Sequence, residues 1–122
     1  MKIYVDVGCR KNPGPYEIQI VDENGHQIYY REFKLWSNNI GEYLAIYFGF
    51  KFWIGNETVY SDSITALAWV RKGCNTKMSM DYESMQLVKE ADQYFKKFKP
   101  WNRLQFWNTK KQGENPADFW RK

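Results

Sequence analysis

The sequence predicts an α/β chain, α+β in arrangement, built on a mixed β-sheet with helices on both faces. Three observations predict it. Residues 2–33 hold three short runs in which apolar and polar residues alternate, separated by turn signals. From residue 38 onward apolar residues recur at helical spacing, interrupted by two further short strand runs. The resulting order is βββαβααβα, and strand–helix–strand alternation after a meander puts parallel strands into a sheet that begins antiparallel.

Ile3, Val5 and Val7 alternate with Tyr4 and Asp6, which predicts a strand over 2–8. The turn cluster CRKNPGP follows, where Pro and Gly stop regular structure. YEIQIVD predicts a second strand at 16–22, Glu23-Asn24-Gly25 a tight turn, and QIYYREF the returning strand at 27–33. Ser37-Asn38-Asn39 offers short polar side chains to cap a helix start. The helix from Ile40 to about Ile54 is apolar on more than one side, as expected of a helix buried between a sheet and a second helix. ETVYSD at 57–62 is a fourth strand, and SITALAWVRKG a helix with Ile64, Leu67 and Ala68 at helical spacing and Gly73 at its end. After the loop NTKMSMD, Met85, Val88, Ala91, Tyr94 and Phe95 mark one face of a helix over 82–98, closed by Pro100. RLQFW at 103–107 is the last strand, NTKKQGEN a loop, and PADFWRK a short terminal helix with Pro116 near its first turn.

The 122 residues fit one domain, 1–122, with one layered core. Aromatic residues make up 19%, which predicts rings filling that core, with a few left to contact sugars or bases. No apolar stretch reaches the roughly 20 residues that span a bilayer. MKIYVDVG has an early acid and lacks the apolar region of a signal peptide, so a cytoplasmic protein without a membrane partner is expected. Cys9 and Cys74 have no metal-ligand spacing and make no disulfide framework. The charge is uneven: six Lys/Arg against seven Asp/Glu in residues 1–61, twelve against seven in 62–122. A basic half points to a polyanionic partner.

Four acids stand where alternation does not put a solvent-facing charge: Asp6 inside an apolar strand, Glu42 one turn into an apolar helix, Asp62 at a strand end, Asp118 after Pro116-Ala117. A lone Asp at a strand end is usually a cap or turn residue, and a lone Glu in a first turn answers the helix dipole. Taken together they differ. Neighbouring first and fourth strands let Asp6 and Asp62 face one another, and two helices bring Glu42 and Asp118 to the same end. Buried carboxylates repel and take up protons unless cations fill the cluster. Hard oxygen donors suit Mg²⁺ or Mn²⁺, and two such ions can activate water and stabilise the leaving oxygen in a phosphoryl displacement.

The neighbours of these acids resemble the type 1 ribonuclease H family. Its first motif appears as Asp6-Val7-Gly8-Cys9-Arg10-Lys11-Asn12-Pro13-Gly14-Pro15, and its second as Ser37-Asn38-Asn39-Ile40-Gly41-Glu42. A strand ending in Asp-Ser appears as Val59-Tyr60-Ser61-Asp62-Ser63, and a glycine-led approach to the last acid as Gly113-Glu114-Asn115-Pro116-Ala117-Asp118. The ending also resembles retroelement ribonuclease H domains. The order, with Glu second, differs from the Asp, Asp, Glu of integrases and transposases of related fold.

The resemblance implies a ribonuclease H-like fold: a five-stranded mixed sheet, three antiparallel strands then two parallel, flanked by helices. It implies that Asp6, Glu42, Asp62 and Asp118 bind two Mg²⁺, which Mn²⁺ can replace, and hydrolyse the RNA strand of an RNA–DNA hybrid to 3′-hydroxyl and 5′-phosphate ends. Cys9, Asn12, Asn38 and Asn39 would line the substrate groove, with Asn12 and Ser37 at positions that hold a DNA phosphate. Such groups recognise 2′-hydroxyls and backbone geometry. Three features depart from the family. Val7-Gly8 replaces Gly-Ser, which is expected to alter the turn beside the metals. The His before the last Asp is missing, leaving Lys110 or Lys111 to take a related electrostatic role. The separate basic handle is absent, so affinity would fall to Lys96, Lys97, Lys99 and Arg103, or to a partner. The alternatives are a module that binds hybrid or duplex without cutting, and a protein-interaction domain.

Overall fold

The computed structural model describes residues 2–8, 16–33, 38–52, 58–74, 82–113 and 117; of Asn38, Phe52, Lys110 and Gln112 it describes the backbone alone. Strands β1 (Lys2–Gly8), β2 (Tyr16–Val21) and β3 (Gln27–Phe33) form the antiparallel meander. The turn between β2 and β3 is held by Asp22, whose Oδ1 accepts from the Asn24 and His26 N–H groups, and by Gly25 at φ 81. Helix α1 (Asn38–Phe52) leads to β4 (Thr58–Ser61), which pairs parallel with β1. Helices α2 (Ile64–Lys72) and α3 (Tyr82–Phe98) follow, then a 3₁₀ turn (Trp101–Arg103) and β5 (Leu104–Phe106), parallel to β4. The sheet order is β3-β2-β1-β4-β5, the mixed five-stranded arrangement expected from the sequence.

Strand alternation sorts the two faces. Ile3, Val5, Val7, Ile18, Ile20 and Val59 point into one core, completed by α1, α2 and α3. Buried residues run round nearly the whole of α1, which is why its sequence is apolar on every side. Tyr4 and Val21 point to the opposite face, where Ala117, Tyr60 and Trp107 pack with them. The described long helices therefore share one face. Of the expected terminal helix only Ala117 is described, on the other face and in a turn.

Two helices bury stripes that differ in part from those expected: Val88, Ala91 and Phe95 are buried as expected, and Leu67 and Tyr94 pack against the core. In α2 the inward residues are Ala66 and Val70, while Ile64 is 71% exposed. Ser63 caps the helix by accepting from the Ala66 N–H at 3.1 Å. In α3 the buried residues are Ser84, Leu87, Val88, Ala91 and Phe95. Ser84 goes inward because its hydroxyl meets the Tyr16 hydroxyl at 3.3 Å, and Met85 turns outward. The expected loop after β5 contains a single helical turn, α4 (Thr109–Gln112). Gly113 ends it at φ 85, with its N–H on Thr109 O at 3.2 Å and its own carbonyl accepting from Trp107 Nε1 at 3.0 Å.

Candidate metal centre

The register of β1 against β4 brings the first two acids together. Tyr4 lies opposite Tyr60, so Asp6 and Asp62 each come two residues further along neighbouring parallel strands. On its other side the end of β4 is held by β5, where the Trp107 N–H donates to Ser61 O at 2.8 Å. Alternation puts Asp6 on the face of Tyr4, and there the rings make an apolar floor: Tyr4 stacks on Tyr60 at 5.2 Å, and Trp107 stands edge-on to both.

Glu42 arrives from the N-terminal turns of α1. It is 3% exposed, and its Oε1 accepts from the Val7 N–H at 2.9 Å. One ligand oxygen from each of Asp6, Glu42 and Asp62 lies within 4.8 Å of the others. Glu42 Oε2 is buried and has no hydrogen-bond partner among the described residues. Burial pushes the Glu42 carboxyl well above the usual range, and the charge of Asp6, the approach of the Asp6 carboxyl within hydrogen-bonding reach and the charge of Asp62 push it further; the Val7 N–H opposes them.

Close approach of α1 to β1 depends on Gly41. A methyl group there would lie 2.6 Å from Val7 Cγ2 and 2.8 Å from Tyr16 Cδ2. The departure at Val7 is thus accommodated. β1 stays regular through Gly8, pairing Val7 with Ile18 and Gly8 with Glu17; the turn expected to be altered begins at Cys9 and lies outside the described residues.

The remaining expected residues divide. Asp118 lies outside the described residues, but its neighbour Ala117 is fully buried, and Ala117 O accepts from Gln19 Nε2 at 2.8 Å. Gln19 sits opposite Asp6 in the β1–β2 register. Cys9, Asn12 and Ser37 also lie outside the described residues, as does the side chain of Asn38; Asn39 is exposed at the start of α1. Lys111 is exposed on α4, and the Lys110 side chain is not among those described. Sequence reasoning missed Gln19, Tyr4, Tyr60 and Trp107 as the frame of the site. The signal was available for Tyr4, which shares strand parity with Asp6.

A mixed sheet with three carboxylates gathered beside its central strand defines an α/β protein with a cluster that could hold a metal ion. No protein-family profile matches the chain. Solved structures do match. A ribonuclease H1 isolated from compost by a metagenomic approach aligns at 24% identity over 91% of this chain and 86% of that one, with a TM-score of 0.51. Ribonuclease H1 from the halophilic archaeon Halobacterium salinarum aligns at 15% identity over 95% and 91%, with a TM-score of 0.56. The N-terminal ribonuclease H domain of a Mycobacterium tuberculosis protein aligns at 18% identity over 87% and 85%, with a TM-score of 0.50. The fold is that of ribonuclease H1.

Proposed function

We propose that this chain is a metal-dependent endonuclease of the type 1 ribonuclease H family that hydrolyses the RNA strand of RNA–DNA hybrids. The observation that carries the reading is the convergence of Asp6, Glu42 and Asp62 around a buried Glu42 Oε2 that no described group satisfies. Three carboxylates at this spacing are unfavourable without a counter-charge. The donors are all hard oxygens, so the site fits Mg²⁺, with Mn²⁺ able to substitute.

Asp6, Glu42 and Asp62 would hold the metal, with Asp118 as the fourth carboxylate by resemblance. When bound, a pair of such ions supplies an activated water nucleophile and stabilises the leaving oxygen of a phosphodiester. The chain's own groups set the stage. The Val7 N–H fixes Glu42 through Oε1, leaving Oε2 for a ligand. Gln19, opposite Asp6, tethers Ala117, the residue before Asp118. Cys9, Asn12, Ser37, Asn38 and Asn39 are proposed to contact the hybrid, and Lys110 or Lys111 to replace the absent His.

Cleavage of a labelled RNA–DNA hybrid, beside RNA–RNA and DNA–DNA controls, tests the reading with Mg²⁺ and with Mn²⁺. Wild type should cut the RNA of the hybrid alone, leaving 3′-hydroxyl ends. Asp6→Asn should reduce the rate at least about a hundredfold, since it removes a metal ligand. Binding without cleavage under both metals would make the chain a hybrid-binding module instead.

A further inference from the structure

The C-terminal ends of α2 and α3 carry cations that the carboxylate site does not use. Arg71 and Lys72 close α2, Lys96 lies in the last turn of α3, and Lys99 follows that helix. All four line one cavity of about 320 Å³, with Tyr43 and Trp101 in its wall. The single acid of that wall among the described residues, Asp92, is already engaged: it accepts from the Tyr43 hydroxyl and from the Cys74 N–H. Among the described residues none of the four cations has an ion-pair partner, whereas Arg31 and Lys51 are paired with Glu83 and Glu90. A cation near one helix C-terminus answers that helix's dipole. Two helices delivering theirs to one cavity, against one committed carboxylate, leave an excess of positive charge for an outside anion to neutralise.

Lys99 sharpens the argument. It stands at φ 47, the one non-glycine residue at positive φ among those described. Its N–H donates to Phe95 O at 3.0 Å, which places it just past α3, where glycine is the usual occupant. A lysine there is strained relative to glycine. The Lys99 side chain lines the cavity and also the adjoining cleft, where Phe98 is 58% exposed beside Arg103. On the other side Arg71 and Lys72 are shared with a groove beneath Leu104 and Phe106. Three linked depressions thus carry cations and exposed rings in alternation, and among the described residues Asp92 is the only acid lining them.

We propose that this surface binds the phosphodiester backbone of a nucleic-acid strand, with Lys72, Lys96 and Lys99 on its phosphates. The proposal rests on the nuclease reading and gives it an affinity site distinct from the carboxylates. Tyr43 joins the two, because it follows Glu42 directly on α1 and sits in the cavity wall.

The test is binding of a labelled RNA–DNA hybrid in EDTA, as a function of salt between 50 and 200 mM, with thermal melts alongside. Each lysine that leaves a phosphate should lower the slope of log K against log salt by about 1. The triple variant Lys72→Gln, Lys96→Gln, Lys99→Gly should therefore lose about 3 from the slope and bind at least about tenfold more weakly. Lys99→Gly alone should lose about 1 and melt no lower than wild type, because glycine relieves the strain. An unchanged slope in the triple variant, or a lower melting temperature for Lys99→Gly, overturns the proposal. Binding is read without metal. A chain that binds in this way yet never cleaves overturns the nuclease reading alone; one that cleaves while the variants keep the wild-type slope overturns this proposal alone.

Discussion

Glu42 shows at the residue scale how one side chain can be essential and unfavourable at once. Its Oε1 is held by the Val7 N–H, its Oε2 is buried without a described partner, and two acids share its pocket. An unfolded Glu ionises near 4.5, while burial and then Asp6 raise the folded value well above that. Above 4.5 the folded chain therefore keeps a proton that the unfolded chain has released. The contribution of Glu42 to stability is fully present below 4.5 and is lost as pH rises through the folded value. In EDTA, denaturation midpoints should accordingly fall between pH 4.5 and pH 8 more steeply for wild type than for Glu42→Gln. Asp6→Asn, which removes the second cause of the shift, should give an intermediate slope. Parallel pH profiles for wild type and Glu42→Gln would show that the burial of Glu42 is compensated by something else.

The elements show why some of the site could be read in advance and some could not. Strand parity and motif spacing placed β1, β3, β4 and the start of α1, and with them Asp6, Glu42 and Asp62. The buried faces of α2 and α3 were read in part, with Val88, Ala91 and Phe95 placed inward as found and Ile64 and Met85 not, because apolar letters were scored singly. Ala66 goes inward, Ser84 does so with its bond to Tyr16, and Ile64 and Met85 turn outward. Pairwise complementarity of this sort is invisible to periodicity, and Gly41 against Val7 is its strongest case. Gly41→Ala should destabilise the protein by about 1–2 kcal/mol, since overpacking costs about 1–3 kcal/mol and better helix propensity returns at most about 1. It should also weaken Mn²⁺ binding by displacing Glu42, which is next in sequence. Val7→Ala should restore part of both losses, and simple additivity in that double-mutant cycle would count against the contact. On α4, the proposed role of Lys110 and Lys111 is decided by turnover. The double alanine variant should cut hybrid several-fold more slowly at unchanged melting temperature, because Lys111 is exposed and the turn is held by the Asn108 carbonyl and Gly113. Normal turnover would leave these as ordinary solvated lysines.

For the whole molecule, the acids lie 20 to 36 positions apart along the chain, from Asp6 to Glu42 and on to Asp62, and meet only because β4 inserts parallel to β1. The convergence is thus a property of the folded state, and an ion that needs all three carboxylates binds the folded chain far better than the unfolded one. Such a ligand stabilises by about 2.7 kcal/mol at a hundred times its Kd. For a domain of this size each kcal/mol moves Tm by about 2–8 °C, so saturating Mn²⁺ should raise Tm by about 5–20 °C. The rise should be larger at pH 8 than at pH 5, where protonated Glu42 competes with the ion. Asp6→Asn should lose most of the rise while melting no lower than wild type in EDTA, since it relieves the repulsion on Glu42. A chain whose Tm ignores Mn²⁺ at both pH values would keep its fold and its cluster but not the proposed chemistry, and its carboxylates would have to be stabilised by protonation alone.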